Sequence, residues 1–375
     1  MIYLDNAATT KPDSNILEAI TPYITGKWQN PSALYFSGNH IRRDIEEVRS
    51  EVAKFVNAEP DEIYFTSGAA ESNNWAIKGF DDYNFDKETV IITTATEHKS
   101  IIGAIQNPAL RSRIYVCGVF DDGTIDLKLL ETLLNISEEK KILVSIAMAN
   151  NEIGTIQNIK KIAKLVHKHS GILHTDATQA LPHIPIDVKA LGIDLMSASA
   201  QKINGLKGTG FLYKKKSVNI SPLIYGSQES EQRGGTENVV GIIALGEAVK
   251  HHTYNISELT KKRDYMINKL SKLGCKLNGS EKDRLPNNIS VVLPHNVSGE
   301  SMLYMLDMAY VNIATGSACN SKDVEPSYVL KAIGLSDEDA VSSIRITLSG
   351  DTKYYDIDCV VNEIEKSIRI IKGRD

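Results

Sequence analysis

The sequence predicts an α/β fold, and three observations carry that prediction. Short apolar runs such as EIYFT, VIITT, KILVS and GILHT alternate with longer, helix-patterned segments between about residues 62 and 214. Polar residues gather just past the C-terminal ends of those runs: His98; Asn150, Asn151 and Glu152; His174 and Asp176; Ser199 and Lys202. In open α/β sheets that edge is where ligands bind, so several clusters spaced by crossover-length segments read as one site. From about residue 250 the texture changes to short strands and helices, which reads as a small α+β domain.

The bulk numbers fit this picture. A chain of 375 residues is long for one core, so two domains are expected. Hydrophobic residues make up 42%, charged residues 24%, and the net charge is −5, so no basic excess argues for nucleic acid as a main ligand. No run reaches the roughly 18 apolar residues of a membrane span. The start, MIYLDNAATTKPD, has neither the basic nor the apolar region of a signal peptide. The four cysteines (Cys117, Cys275, Cys319 and Cys359) are scattered with no CxxC pair. That argues against a disulfide framework or a zinc site and for a reducing compartment, the cytoplasm.

Taken in order, IYLDN is a short strand and a polar turn, and helix signals follow Asp13 with Ile16, Leu17, Ile20 and Tyr23 on one side. A second helix is expected from about His40 to Asn57, with Ile41, Ile45, Val48, Val52, Phe55 and Val56 sharing a face. EIYFTSGAAESNN then runs from strand through Ser67-Gly68-Ala69-Ala70 into a helix. Small residues at such a turn leave backbone N–H groups bare at a helix N-terminus, either as an anion site suited to phosphate or as a plain βα turn. The helix IKKIAKLVHKHSG is expected to end at Gly171, with His167 and His169 on its polar side. DLMSASAQKINGLKGTGFLYK places Lys202 between two apolar strands. Either it is a lysine on a solvated loop, or it forms a Schiff base with a carbonyl cofactor, desolvation lowering its pKa. Arg233 and Thr236 precede a further helix and again suit an anion, and ISELTKKRDYMINKL connects to the second domain. There, GSACNSKDVEPSYVL carries Cys319 in a stretch without apolar periodicity, which predicts an exposed, mobile loop, whereas Cys117 lies in a strand pattern and reads as core.

Together these blocks resemble the cysteine desulfurases, pyridoxal-phosphate enzymes of the class V aminotransferase group with fold type I. YLDNAATT, FTSGAAESNN, TEHKS, NNEIGTIQ, HTDATQA, SASAQK, RGGTENV and GSACNS…EPSYVL occur in the family's order and spacing, from residue 3 to about 350. The resemblance implies a large domain, residues 14–250, with a mixed, mostly parallel seven-stranded sheet between helices. It implies a small domain from residues 1–13 and 251–375, with the reactive cysteine loop at about 315–327. Lys202 matches the Schiff-base lysine and proton shuttle, Asp176 the carboxylate under the pyridine nitrogen, and His98 the imidazole over the ring. Gln179 matches the donor to the ring hydroxyl, and Asn151 and Arg345 the clamp on the substrate carboxylate, with Asn151 also beside the cofactor. Ala69 and Ala70, through their backbones, Ser199 and Gln201 match phosphate-binding positions. Thr236 matches a threonine reaching the partner subunit's phosphate, which implies a homodimer. Cys319 matches the thiol that takes sulfur from L-cysteine, leaving alanine and a persulfide for an acceptor protein in iron–sulfur assembly, tRNA thiolation or DNA phosphorothioation. No metal and no direct nucleic-acid contact are implied.

Four positions depart from the family pattern. Gln201 stands where histidine is usual, Ala70 where threonine is usual, Tyr35 where the NPSSxH block has histidine, and YGSQE from Tyr225 where GGGQE is usual. A missing neutral hydroxyl contact costs about 0.5–1.5 kcal/mol, so cofactor retention below the family norm is expected. The alternatives are a selenocysteine lyase or another class V enzyme, and a non-catalytic scaffold of a sulfur-transfer complex. The Cys319 segment argues against a plain aminotransferase, and the set Lys202, Asp176, His98 and Cys319 argues against a scaffold.

Overall fold

The computed structural model describes residues 1–315, 317–320 and 323–373, with the backbone alone at 317–320, 323 and 324. Its largest sheet has seven strands, in the order Ile63–Thr66, Gly210–Lys214, Leu195–Ser199, Ile172–Asp176, Lys141–Ser145, Thr89–Thr94, Arg113–Cys117. The last five of these pair in parallel, and Gly210–Lys214 runs antiparallel to both its neighbours. The mixed, mostly parallel sheet expected from the resemblance is therefore present. Its central strands read as continuous apolar runs because both faces are covered.

The two-residue period of a strand divides those runs between the two faces. Ile91, Leu143, Leu195 and Leu212 pack with Trp75, Ile77, Phe80 and Ile101 from the helices Ala69–Tyr83 and Lys99–Ile105. Val90, Ile92 and Val144 face the other way, onto Ile41, Ile45, Ile162, Val166, Ile242 and Leu245 from the helices Phe36–Val56, Ile159–Lys168 and Val239–His251.

A second core is built around a four-stranded antiparallel sheet, in the order Ala314–Thr315, Ser343–Thr347, Asn288–Val292, Lys276–Leu277. Ile289, Val291, Ile344 and Ile346 meet Met266, Leu270, Ile357, Val360 and Ile364 from the helices Ile256–Lys272 and Tyr354–Ile371. The N-terminus belongs to this core. Ile2–Tyr3 pairs in parallel with Val311–Asn312, and Leu4 is fully buried among the same side chains.

Three local expectations are corrected. The second helix begins at Phe36 and ends at Val56, where Asn57 takes the left-handed conformation of a C-cap. At the end of Ile159–Lys168 it is Ser170, with φ 55°, that turns the chain, while Gly171 packs against Val166. The Cys319 segment is not an irregular loop: its backbone forms a hairpin of Ser317–Asn320 against Asp323–Pro326, with Cys319 opposite Val324. Cys117 is fully buried, as its strand pattern predicts. Among the described residues no helix is long and apolar enough to cross a membrane.

Candidate active site

The site grows from the C-terminal edge of the large sheet. Leu195–Ser199 passes straight into a single 3₁₀ turn, Ala200–Lys202. Gly205 permits this turn, because a Cβ there would lie 2.9 Å from the Ala200 Cβ and carbonyl. Lys202 is thus held on rigid backbone and turned toward the N-terminal segment. Its Nζ donates to the Ala8 carbonyl at 2.6 Å and also to the Ala7 carbonyl. Burial pulls its pKa down to about 8, and the Arg345 charge pulls the same way against Asp5 and Asp176. Lys202 is half-buried and tied to two backbone carbonyls, which is not the setting of a solvated loop lysine. Gln179, itself buried, donates to the Ala7 carbonyl at 3.0 Å, so the short N-terminal turn is shared by two of the expected residues.

Asp176 ends its strand nearly buried, at 6% exposure. Its carboxylate accepts from Thr178 N–H at 2.9 Å and from Asn73 Nδ2 at 2.7 Å. Asn73 is fully buried and also donates to Ser100 Oγ at 2.9 Å. Ser100 Oγ lies 2.8 Å from His98 Nδ1. Asp176 and His98 are therefore joined through Asn73 and Ser100. The Ser100 backbone N–H donates to His98 Nδ1 at 3.1 Å, which makes Nδ1 an acceptor and places the proton of the neutral ring on Nε2. His98 caps its helix and remains exposed, free to present Nε2 to a ligand. His174 is not part of this site. It is fully buried between Ser145 Oγ and Ser197 Oγ, at 2.8 and 2.9 Å, and burial lowers its pKa to about 4.

Helix Ala69–Tyr83 starts at Gly68, whose φ of 147° suits glycine, and no side chain caps the N–H groups of its first turn. A Cβ on Gly68 would stand 3.6 Å from Ser199 Oγ, which places Ser199 beside this helix start. Gly210 makes the approach possible, since a Cβ there would sit 2.7 Å from the Gly68 Cα. Ala69 and Ala70 lie in that first turn, with Ala70 exposed. Gln201 is half-buried, and its carbonyl accepts from both the N–H and the hydroxyl of Thr10 at 3.0 Å. Arg233 is not free for an anion, because it grips Glu71 at 2.8 and 3.2 Å. Thr236 is exposed and lines a cavity of about 140 Å³ with Ser67, Arg233 and Asn238.

Arg345 comes from the small sheet. Its Nη2 meets Asp5 Oδ1 at 2.7 Å and its Nη1 meets the Asn151 carbonyl at 3.2 Å, while its Nε is buried with no partner among the described residues. Arg345 and Asn151 are thus adjacent, joined through the Asn151 backbone. The side chain of Cys319 lies outside the described residues. A larger apolar hollow of about 860 Å³, between Leu127, Met148, Ile156 and Ile159, contains none of these side chains.

The donor set fits pyridoxal phosphate. An amine near neutral pKa, a carboxylate at a strand end and an uncapped helix N-terminus converge on one edge. Several polar atoms among these residues (Thr178 Oγ1, Asn73 Oδ1 and Arg345 Nε) are buried without a partner among the described residues. Three side chains of this network, Asp5, Asn73 and Ser100, have no role that the sequence pattern assigns. Asn73 and Ser100 stand inside FTSGAAESNN and TEHKS, and their place near the starts of two helices flanking the sheet edge was the available signal.

The chain belongs to the aminotransferase class-V family, whose model matches residues 2–360. It is 41% identical over 379 residues to a protein of Dictyoglomus turgidum named cysteine desulfurase IscS, covering 99% of this chain and 95% of that one. A protein of the same name from Methanosarcina thermophila is 39% identical, over 99% of this chain and 93% of its own length. Among solved structures, a NifS-like protein superposes with a TM-score of 0.91 at 32% identity, covering 98% of this chain and 99% of its own. SspA in complex with cysteine superposes with a TM-score of 0.82 at 31% identity, over 93% of this chain and 99% of its own.

Proposed function

We propose that the chain is a pyridoxal-phosphate-dependent cysteine desulfurase that transfers sulfur from L-cysteine to Cys319 and onward to an acceptor protein. The observation that carries this reading is the half-buried Lys202 amine, drawn down to about 8, on the same sheet edge as Asp176 and in the field of Arg345. The relatives named cysteine desulfurase and the neighbour solved with cysteine support the substrate. The two separate cores support a division into domains of residues 14–250 and of 1–13 with 251–375.

Lys202 would hold the cofactor covalently and then move the proton at the substrate Cα. Asp176, fixed by Asn73 and Thr178, would face the pyridine nitrogen and keep it protonated, and Gln179 would donate to the ring hydroxyl. Ala69, Ala70, Ser199 and Gln201 would surround the phosphate, and His98 would offer its Nε2–H over the ring. The bound cofactor supplies the electron sink for charge developing at Cα. Arg345, beside Asn151, would bind the substrate carboxylate in exchange for its contact with Asp5. The Cys319 thiolate attacks the sulfur of the bound cysteine. An S–S bond forms as the C–S bond breaks, and the electron pair stays on the substrate carbon, which takes up a proton. Alanine leaves, and Cys319 keeps the persulfide.

A second copy of the chain completes the assembly. Thr236 is exposed, and Trp28, Leu34, Phe36 and Tyr225 are each at least 74% exposed, large apolar side chains that a partner can bury. The scattered cysteines, of which Cys117, Cys275 and Cys359 are free, support a reducing, cytoplasmic setting. Purified protein is expected to absorb in the cofactor band and to lose that band in Lys202→Ala, while Cys319→Ala loses the persulfide. A Cys319→Ala protein that still released sulfur from cysteine at the full rate would overturn the assignment.

A further inference from the structure

The hairpin that bears Cys319 has two feet: the first stands against Arg345, and the second on Glu152 and Glu97, the chain neighbours of Asn151 and His98. The first foot is Ala314–Thr315, paired with Ser343–Thr347 so that Ala314 lies opposite Arg345. The second foot is Ser327 and Tyr328, directly after the outgoing strand Asp323–Pro326. Ser327 is buried, and its single proton goes to Glu152 Oε2. Its oxygen accepts from the N–H groups of Val329 and Leu330, capping the helix Tyr328–Ala332. Tyr328 Oη donates to the Glu97 carbonyl at 2.6 Å, the peptide bond that joins Glu97 to His98. Behind this foot, Val329, Leu330 and Ile333 close over Ile153, the residue after Glu152, and all four are at most 4% exposed.

The second foot therefore reaches Asn151 and His98 through one neighbouring residue each. Glu152 follows Asn151, whose carbonyl holds Arg345, and the Glu152 carboxylate lies in the Arg345 field, which opposes the rise in its pKa from burial. Glu97 precedes His98 and is fully buried, so its carbonyl is a fixed acceptor. We infer that Ser327 and Tyr328 are positioning residues: a two-point anchor that sets the root of the Cys319 hairpin against the Arg345 and His98 sides of the site. This inference rests on Cys319 being the sulfur-accepting thiol. Nothing in it places either residue in contact with substrate. Its consequence is a division of labour, in which the chemistry at Cα is independent of the anchor and the transfer of sulfur depends on it.

The test uses the cofactor-loaded full chain and two readouts. Exchange of the Cα hydrogen of L-alanine reports the Lys202 and Arg345 chemistry without any sulfur step. Mass spectrometry of the Cys319 peptide after mixing with L-cysteine reports persulfide formation. Tyr328→Phe, which removes one hydroxyl, is expected to leave alanine exchange within twofold of the parent and to slow persulfide formation about fivefold to tenfold. Because Ser327→Ala also removes a helix cap and can disturb folding, Ser327→Thr serves as its partner and is expected to keep the parental persulfide rate by keeping the hydroxyl. Persulfide formation by Tyr328→Phe at the parental rate would overturn the anchor, and so would an equal fall in both readouts, which marks a general structural effect. Failure of the underlying reading shows up separately: a Cys319→Ser chain that makes alanine from cysteine at the parental rate removes Cys319 from the reaction altogether.

Discussion

The amine of Lys202 gives up its proton more readily than a free lysine does. Its surroundings desolvate it, and the nearby Arg345 cation raises the cost of its proton further, so it titrates near 8 rather than at the roughly 10.4 of a free lysine. Only the neutral amine can attack a carbonyl. Cofactor capture by the apo protein, followed as growth of the visible absorbance band, is therefore expected to accelerate with pH through about 8 and to level off above it. Asp5 and Asp176 act in the opposite sense, so Asp5→Asn should move that inflection to lower pH. An inflection near that of free lysine would show that the amine is not desolvated. Lys202 was visible in the sequence as a lysine between apolar strands. Its hydrogen bonds to Ala7 and Ala8, some 195 positions away, were not, because no local pattern reports where the N-terminal turn folds back.

The turn from Thr94 to Lys99 shows what an element adds to its residues. The sequence marks His98 as polar and past a strand end, but gives no sign that its neighbour Glu97 points inward. Glu97 is fully buried, accepting from Thr94 Oγ1 at 2.7 Å and from Ala147 N–H at 2.9 Å, and burial drives its pKa up to about 8 despite those bonds. The folded chain thus holds a proton that the unfolded chain gives up near 4.3. Stability from this group is complete below the unfolded pKa and is lost as pH rises through about 8. A Glu97→Gln amide can accept from Ala147 N–H and donate to Thr94 Oγ1, and it does not titrate. Its melting temperature is expected to gain on that of the parent between about pH 5 and pH 8. Parallel melting curves at both pH values would show that Glu97 is ionised throughout.

At the scale of the whole molecule the two cores meet at the site. The small sheet supplies Arg345, the large sheet Lys202 and Asp176, and the N-terminal turn supplies Asp5 and the Ala7 carbonyl. They come from four separate parts of the chain. A homodimer would extend the same logic to Thr236. If Thr236 serves the partner's cofactor, a heterodimer of a Lys202→Ala chain with a Thr236→Ala chain carries one intact site, formed by the lysine of one protomer and the threonine of the other. Cofactor retention at that site is expected to match the parent and to exceed that of a Thr236→Ala homodimer. Equal retention in the two assemblies would place the threonine in its own protomer's site, or in none.

By itself the sequence predicted the fold class and a row of polar residues at one sheet edge, with Lys202, Asp176 and His98 among them, while Gln179 and Arg345 were named from the resemblance of ordered motifs. It could do so because strand period, helix period and ordered motif spacing are local properties that survive in one dimension. Only the tertiary structure decided how those residues are held. Asn73 joins Asp176 to the His98 turn, Asp5 occupies the Arg345 guanidinium, Glu71 neutralises Arg233, and Ser327 with Tyr328 fixes one foot of a hairpin that had read as a loop. The physical reason is that hydrogen bonds and burial act between groups far apart along the chain, and desolvation sets a pKa only once the core has closed around it.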